Sequence, residues 1–135
     1  MKPQQVQNDA ESHVNLPALL VDQCEKLYYC LKCQHQAVPS GRFLLCESCK
    51  AKSLLSSSNS KYQVRATFQL PSERITLVIP HQKIMELVEG FKLDQDDADE
   101  IEYVLLDKTN AHVKLQYSER TRIVLAVHFG KSLEN

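Results

Sequence analysis

Four of the five cysteines stand in two pairs that have the spacing of metal ligands. Cys30 and Cys33 form one C-x2-C motif, Cys46 and Cys49 form a second, and twelve residues separate the two motifs. A C-x2-C turn can aim two thiolates at one ion, so two such turns complete a tetrahedral site. The sequence therefore predicts one Zn²⁺ ion in a closed structural site that has no open position for a catalytic water.

Two other chemistries are open to paired cysteines. Two disulfides would need an oxidising compartment, and the polar residues 1–13 contain no apolar core of a secretory signal. A thioredoxin-type redox pair would lie in a βαβ pattern, which surrounds neither motif. We therefore expect an intracellular chain, with Cys24 a free thiol and His35 at the surface outside the ligand set.

The residues around the cysteine pairs indicate how the ligands are held. Tyr28 and Tyr29 precede the first pair, Phe43 precedes the second, and Pro39-Ser40-Gly41 between them is a turn signal. Strand, knuckle, strand, knuckle is the order of a zinc ribbon. We place this ribbon at residues 24–52.

The remaining chain is long enough to bury a core of its own. The protein has 135 residues, of which 43% are apolar and 24% charged. The serine-rich residues 53–60 are expected to be a loop. Residues 61–70 alternate strictly between apolar and polar and predict a half-buried strand, which is followed by a turn and a second strand at residues 74–79.

The second half of the chain predicts helices and then strands. Residues 81–91 have apolar positions at helical spacing, and residues 94–107 carry a second such pattern with seven acids and no base. Two more strands are expected, at residues 113–117 and 121–129, after a turn at residues 108–110.

With residues 14–21 counted as a first strand, the order of elements is that of an OB-fold. Five short strands with a helix between the third and fourth predict a mainly β, five-stranded OB-fold barrel. The four-cysteine zinc ribbon is inserted between the first and second strands, and one or two short helices complete the domain. We predict a flexible segment at residues 1–13, the OB-fold domain at 14–129 and a short tail at 130–135.

This arrangement resembles the zinc-ribbon-containing C-terminal DNA-binding domain of the replication protein A large subunit and its repair-factor relatives, the shieldin complex among them. The four cysteines are the specific part of the resemblance, which covers about residues 14–129. Lys61-Tyr62 opening an alternating strand is similar too, as is the late segment that ends in Arg122. The resemblance implies a nuclear DNA repair or replication factor that binds single-stranded DNA, docks a partner subunit, or does both. For the shieldin-like relatives that partner is shieldin subunit one.

Single-strand binders stack bases on aromatic rings in a basic groove. The sequence offers nine aromatic residues and no tryptophan. The expected phosphate contacts are Lys32, Arg42, Lys50, Lys52, Lys61, Arg65, Arg120 and Arg122. The expected stacking residues are Tyr28, Tyr29 and Phe43.

The alternative function is a protein-interaction scaffold that does not bind nucleic acid directly. A net charge of −1, the small supply of aromatics and the acidic residues 94–107 favour it, with the apolar side of the 81–91 helix as the docking face. We do not expect an enzyme, a small-molecule substrate or a membrane partner. The acids have no matched base, the histidines have no triad spacing, and no long apolar run is present.

Overall fold

A computed structural model of the chain describes residues 10–93 and 97–130. This described part is mainly β. Its elements are β1 (Glu11–Asn15), β2 (Leu20–Tyr29), β3 (Gln36–Ser40), β4 (Phe43–Leu45), β5 (Lys52–Leu54), β6 (Asn59–Gln69), β7 (Arg74–Ile79), α1 (His81–Gly90), α2 (Ala98–Leu106), β8 (Val113–Ser118) and β9 (Val124–Phe129). Of the predicted flexible start, residues 1–9 lie outside the described part, as do residues 131–135 of the predicted tail.

The chain divides into two compact units. The smaller unit is Glu25–Gln63, and the larger unit is the chain before Glu25 and after Gln63. The smaller unit extends the predicted ribbon, residues 24–52, because β5 and the start of β6 belong to it. β2 and β6 each contribute residues to both units.

The larger unit contains strands from two antiparallel sheets. In one, β8 lies between β1 and β9. In the other, β6 lies between β2 and β7. A single parallel bridge joins Val78 of β7 to Ile123, just before β9. The two sheets do not close into one continuous barrel.

The predicted first strand is interrupted. The structure has β1 ending at Asn15 and β2 beginning at Leu20, whereas the sequence predicts one strand over residues 14–21. Pro17 lies in the gap, and proline has no backbone N–H to give to a sheet. β1 also begins at Glu11, inside the segment predicted to be flexible.

The loop predicted at residues 53–60 is mostly regular structure. It contains the end of β5, the 3-10 turn Leu55–Ser57 and the first residues of β6. The Ser58 hydroxyl donates to the carbonyl of Leu55 at 2.7 Å and so closes the turn. A serine-rich composition is typical of a loop, and the sequence does not reveal the local hydrogen bond that makes this segment regular.

The alternating strand and both helices are confirmed. On β6, Tyr62, Val64, Ala66 and Phe68 are buried, as the period of two requires. Asp97 precedes α2, and its Oδ1 accepts from the backbone N–H of Asp99 at 2.7 Å. This is a helix N-cap of the usual chemistry. None of the described helices is long and apolar enough to cross a membrane.

The largest fully buried side chains lie almost all in the larger unit. Leu44 is the single one of them that belongs to the smaller unit. The others are Leu16, Val64, Phe68, Leu77, Ile79, Ile84, Leu87, Ile101, Leu105, Val113 and Leu115. The larger unit therefore has an apolar core, and the smaller unit needs another source of stability.

Truncation of Phe68 tests this core. Phe68 is 1% exposed, so Phe68→Ala should lower the free energy of unfolding by about 3–5 kcal/mol through lost burial and a cavity. Phe129→Ala is the matched control, because that ring is 43% exposed and should cost less than about half as much. Chemical denaturation of the metal-loaded protein measures both, and equal losses would contradict the assignment of the core.

Candidate functional site

The four paired cysteines lie together in the smaller unit. Their sulfur atoms all lie within 4.8 Å of one another. The Sγ atoms of Cys30 and Cys49 are 3.6 Å apart, and those of Cys33 and Cys46 are 3.5 Å apart. Four sulfurs placed tetrahedrally at about 2.3 Å from a metal would be about 3.8 Å apart, so the residues present fit such an ion.

The two C-x2-C motifs fold into the same turn. In the first, the N–H of Gln34 donates to the Cys30 carbonyl at 3.0 Å, and in the second the N–H of Lys50 donates to the Cys46 carbonyl at 2.8 Å. Gln34 and Lys50 both have positive φ, 69° and 67°. This shared left-handed residue turns the chain back after each pair and leaves both sulfurs on one side.

The same turns aim backbone N–H groups at the leading sulfur of each motif. The N–H of Lys32 donates to the Sγ of Cys30 at 3.3 Å. Hydrogen bonds from the backbone of Cys33 and then Lys32 lower the pKa of Cys30 to about 6. Backbone hydrogen bonding, chiefly from Cys49, likewise lowers the pKa of Cys46. These thiols are therefore prepared to act as thiolate ligands.

The second cysteine of the first motif behaves differently without a cation. The backbone N–H of His35 lowers the pKa of Cys33, but burial and the neighbouring thiols outweigh it and raise that pKa to about 12. Four sulfurs this close cannot all carry charge unless a cation is among them. Metal binding must therefore displace protons from the cluster.

The cysteines also form much of the smaller unit's core. The buried cluster there consists of Cys30, Ala37, Leu44 and Cys46, so two of its four residues are ligands. Tyr28, Cys33, Cys49, Ala51 and Leu55 pack against it. With so little apolar burial, a metal ion held by these four cysteines would contribute much of the stability of this unit.

His35 lies at the surface and Cys24 is a free thiol, as the sequence predicts, but Cys24 lies outside the unit that contains the four clustered cysteines. His35 is exposed, and its Nδ1 lies 3.3 Å from the Sγ of Cys33, outside the group of four sulfurs. Cys24 belongs to the larger unit, where its thiol donates to the carbonyl of Ala98 at 3.7 Å. Burial, and then the carboxylates of Glu102 and Asp99, raise the pKa of Cys24 to about 11.

Comparison of the chain with protein-family models and with curated proteins finds no match. The assignment of the site therefore rests on its donor set. Cys30, Cys33, Cys46 and Cys49 could hold a metal ion, and a tetrahedral set of four sulfurs suits soft metals such as zinc or iron. All five cysteines are free thiols in the structure, and none is paired in a disulfide.

The predicted nucleic-acid residues fall into separate places. Arg65, Arg120 and Arg122 belong to the larger unit. The smaller unit holds the others: Lys32, Arg42, Lys50, Lys52, Lys61, Tyr28, Tyr29 and Phe43. The four lysines of this set, and Arg42, are all exposed.

Phe43 has a cation beside its ring within the smaller unit. The Nζ of Lys52 lies 4.9 Å from the centre of the Phe43 ring, so a base that stacked there would share the ring with this cation. Tyr29 is half-buried, and its backbone pairs with that of Gln36 in β3.

Tyr28 and Arg42 do come together, with residues that the sequence analysis missed. They line an open groove of about 640 Å³ along with Lys26, Leu54, Leu55, Ser56, Ser58 and Ser60. Lys26 and Tyr28 are two residues apart on β2, and side chains two apart in a strand point to the same side. The alternation of β2 could therefore have identified Lys26 as a groove residue. The serines could not be found, because composition predicts a loop at residues 53–60.

The docking face predicted on α1 is not available. Ile84 and Leu87, on the apolar side of that helix, are buried in the larger unit. The helical pattern is confirmed, but its apolar side packs into the core, as amphipathic helices commonly do.

Serine substitutions should separate ligand from non-ligand cysteines. Cys30→Ser removes a thiolate, so the bound metal should fall from one ion per chain to none and residues 25–63 should lose hydrogen-exchange protection. Structural sites of this type contribute about 10–16 kcal/mol of apparent binding energy. Cys24→Ser is the matched control and should keep both metal and protection. Retention of the ion by Cys30→Ser, measured by native mass spectrometry, would refute the four-cysteine site.

Alkylation of Cys24 should be slow and should accelerate only at high pH. With its pKa raised to about 11, little thiolate exists near neutrality, so iodoacetamide should react at least about tenfold more slowly than with the unfolded chain. Below the unfolded pKa of about 8.5, the Cys24 thiol is neutral in both the folded and the unfolded state. Above that pH the unfolded chain ionises and the folded protein does not, so the free energy of unfolding falls as the pH rises toward the folded pKa. A reaction rate that levels off near pH 9 would contradict this environment.

Proposed function

We propose that the chain is a single-stranded DNA-binding OB-fold domain of a DNA repair or replication factor, stabilised by a structural zinc ribbon. Its proposed location is the nucleus, at sites of DNA damage. The observation that carries the proposal is a backbone arrangement in the larger unit that brings Arg65 and Arg122 to one part of the sheet.

Zinc is the proposed ion because of the donor set and its surroundings. Four cysteine ligands leave no coordination position for water or substrate, which is the pattern of structural zinc. Two of the ligands are buried and serve as core residues. When bound, the ion would supply the cohesion that the smaller unit's few apolar side chains do not.

The strand pairing of the larger unit supports an OB-type barrel. We take β1 and the first half of β2 as two halves of the first OB strand, broken at Pro17, with β6, β7, β8 and β9 as the second to fifth. The first strand then pairs with the second and the fourth, and the third meets the fifth through the parallel bridge at Val78. OB barrels are partly open, so the absence of continuous closure is compatible with this assignment.

On this assignment, the arginines would belong to the surface by which OB-folds bind oligonucleotides. That site is the face of the second and third strands together with the loop between the fourth and fifth. Arg65 on β6 pairs across from Val78 on β7, and the Val78 N–H donates to the carbonyl of Arg122 at 2.9 Å. Arg65 is exposed and Val78 is 36% exposed, so this face offers a cation beside apolar surface.

We propose a different role for the lysines nearest the cysteines, which makes them less favoured as DNA contacts. Four thiolates and one Zn²⁺ carry a net charge of about −2. Lys32 lies inside the first C-x2-C motif and Lys50 follows the second directly. We assign these two lysines first to balancing the charge of the centre.

Among the repair-factor relatives, we favour the C-terminal domain of shieldin complex subunit two. The ribbon interrupting the first half of an OB-type strand order is the feature that supports this. The relationship would make the domain part of an assembly that protects DNA ends, with shieldin subunit one as a partner.

Binding to a single-stranded oligothymidylate tests the DNA-binding function. The zinc-loaded protein should bind in a fluorescence-anisotropy titration, more weakly as salt increases. Arg65→Ala with Arg122→Ala removes two phosphate contacts, so the slope of log affinity against log salt should flatten by about 1.4, at about 0.7 per contact.

Lys108→Ala with Lys114→Ala is the control for that experiment, because it removes two exposed positive charges elsewhere in the larger unit. It should leave the slope within error of the unsubstituted protein. Equal effects from the two double variants would mean that DNA responds to total charge and not to this face. Duplex DNA and RNA serve as competitors, and preference for duplex would contradict single-strand recognition.

A protein-interaction scaffold is the second candidate function. The smaller unit exposes Val38 at 52% and Leu45 at 36%, and these two residues pair directly across β3 and β4. Exposed apolar side chains that adjoin one another favour contact with a protein. Copurification with shieldin subunit one, without DNA binding at low salt, would establish this function in place of the first.

A further inference from the structure

The groove lined by Lys26, Tyr28 and Arg42 combines the chemistry needed to hold one nucleotide. Two of its eight lining residues are cationic, one is aromatic, three are serines, and none is acidic. We propose that this groove is a second contact point for single-stranded nucleic acid, in which Arg42 binds a phosphate and Tyr28 stacks on a base. This inference rests on the proposed DNA-binding function and places a specific site within the smaller unit.

Arg42 is well placed to bind a phosphate. Its backbone is held by the Leu55 N–H, which donates to the Arg42 carbonyl at 2.9 Å, and it follows Gly41 at the tip of the β3–β4 turn. Its side chain is exposed and makes no hydrogen bond or ion pair with any residue of the described part of the chain. A guanidinium held at its base and unpaired at its tip suits the forked recognition of phosphate oxygens.

Tyr28 provides the aromatic surface and couples the groove to the metal centre. The side chain is half-buried, packs against the cluster that contains Cys30 and Cys46, and also lines the groove. A ring supported in this way has little side-chain entropy to lose when a base stacks on it. Leu54, 49% exposed, extends the apolar surface beside it.

The hydroxyl groups of the groove have different roles. Ser58 is committed to the Leu55 carbonyl and therefore fixes the turn. Ser56 is exposed and Ser60 half-exposed, so both can donate to phosphate or sugar oxygens. Lys26, whose Nζ lies 5.8 Å from the centre of the Tyr62 ring, adds positive charge to the lining.

Size and openness favour a nucleotide that belongs to a strand. The volume of about 640 Å³ lies within the range of about 300–1,000 Å³ that ligand sites occupy. The site is an open groove, so a polymer can pass through it. A phosphoserine peptide could use the arginine but would leave the aromatic and leucine surface without a matching group.

The test uses the full zinc-loaded chain and an oligothymidylate that carries 5-iodouracil for photocrosslinking. Arg42→Ala should weaken binding and flatten the salt slope by about 0.7. Tyr28→Leu keeps apolar bulk but removes the ring, so it should weaken binding between about fivefold and about a hundredfold. Mass spectrometry should map the crosslink to the peptide that contains Tyr28.

The controls keep folding apart from binding. Zinc content is measured for each variant, and Lys108→Ala removes one exposed charge that lies outside the proposed sites. Should Tyr28→Leu lose zinc, Arg42→Ala and the crosslink still decide the question, because neither alters the ligand cluster.

The outcomes distinguish this inference from the proposed function. DNA binding that depends on Arg65 and Arg122, while Arg42→Ala equals Lys108→Ala and no crosslink reaches Tyr28, would overturn the groove and keep the function. A Tyr28 crosslink with dependence on Arg42 alone would support the groove and overturn the assigned OB face. Arg42-dependent binding of a phosphoserine peptide, without binding of oligothymidylate, would overturn both in favour of a phosphopeptide site.

Discussion

The close approach of four cysteines is the feature on which the arrangement of the smaller unit depends. Their sulfurs lie within 4.8 Å of one another, a separation that charged groups tolerate only around a cation. Two of these cysteines, Cys30 and Cys46, are half of that unit's buried cluster, and Tyr28 packs against it. A metal ion bound there would therefore stabilise the core of the unit and the position of Tyr28 together.

The larger unit is stabilised by a different force. Its strands and helices bury apolar side chains such as Phe68, Leu77 and Leu105. This difference gives the two candidate nucleic-acid sites different dependencies. The face at Arg65 is held by sheet pairing, whereas the groove at Arg42 is held by a turn within the ribbon.

The predictions that succeed rest on local periodicity, and those that fail involve contacts between distant residues. The alternation of β6 and the spacing of α1 and α2 are visible in the sequence, because each element buries one side. A continuous first strand is wrong at Pro17, since proline lacks the N–H that such a strand needs. The prediction of a loop at the serines before β6 is wrong, because composition does not show the hydrogen bond from Ser58 to Leu55 that makes a regular turn there. The helix α1 is correctly located but is not a docking face, since only packing shows what covers an apolar side.

The sequence by itself determined which four cysteines form the cluster that could hold a metal ion, because each C-x2-C turn fixes its two sulfurs within a few residues of chain. It also determined most strand and helix positions, which follow from local alternation. Tertiary structure decided which of the scattered cations and aromatics meet. Arg42 joins Tyr28, and Arg122 joins the strand of Val78, because strand pairing brings together residues far apart in the chain. The periodicity of the sequence does not predict which strands pair, because the register of the pairing depends on turns and burial across the whole domain.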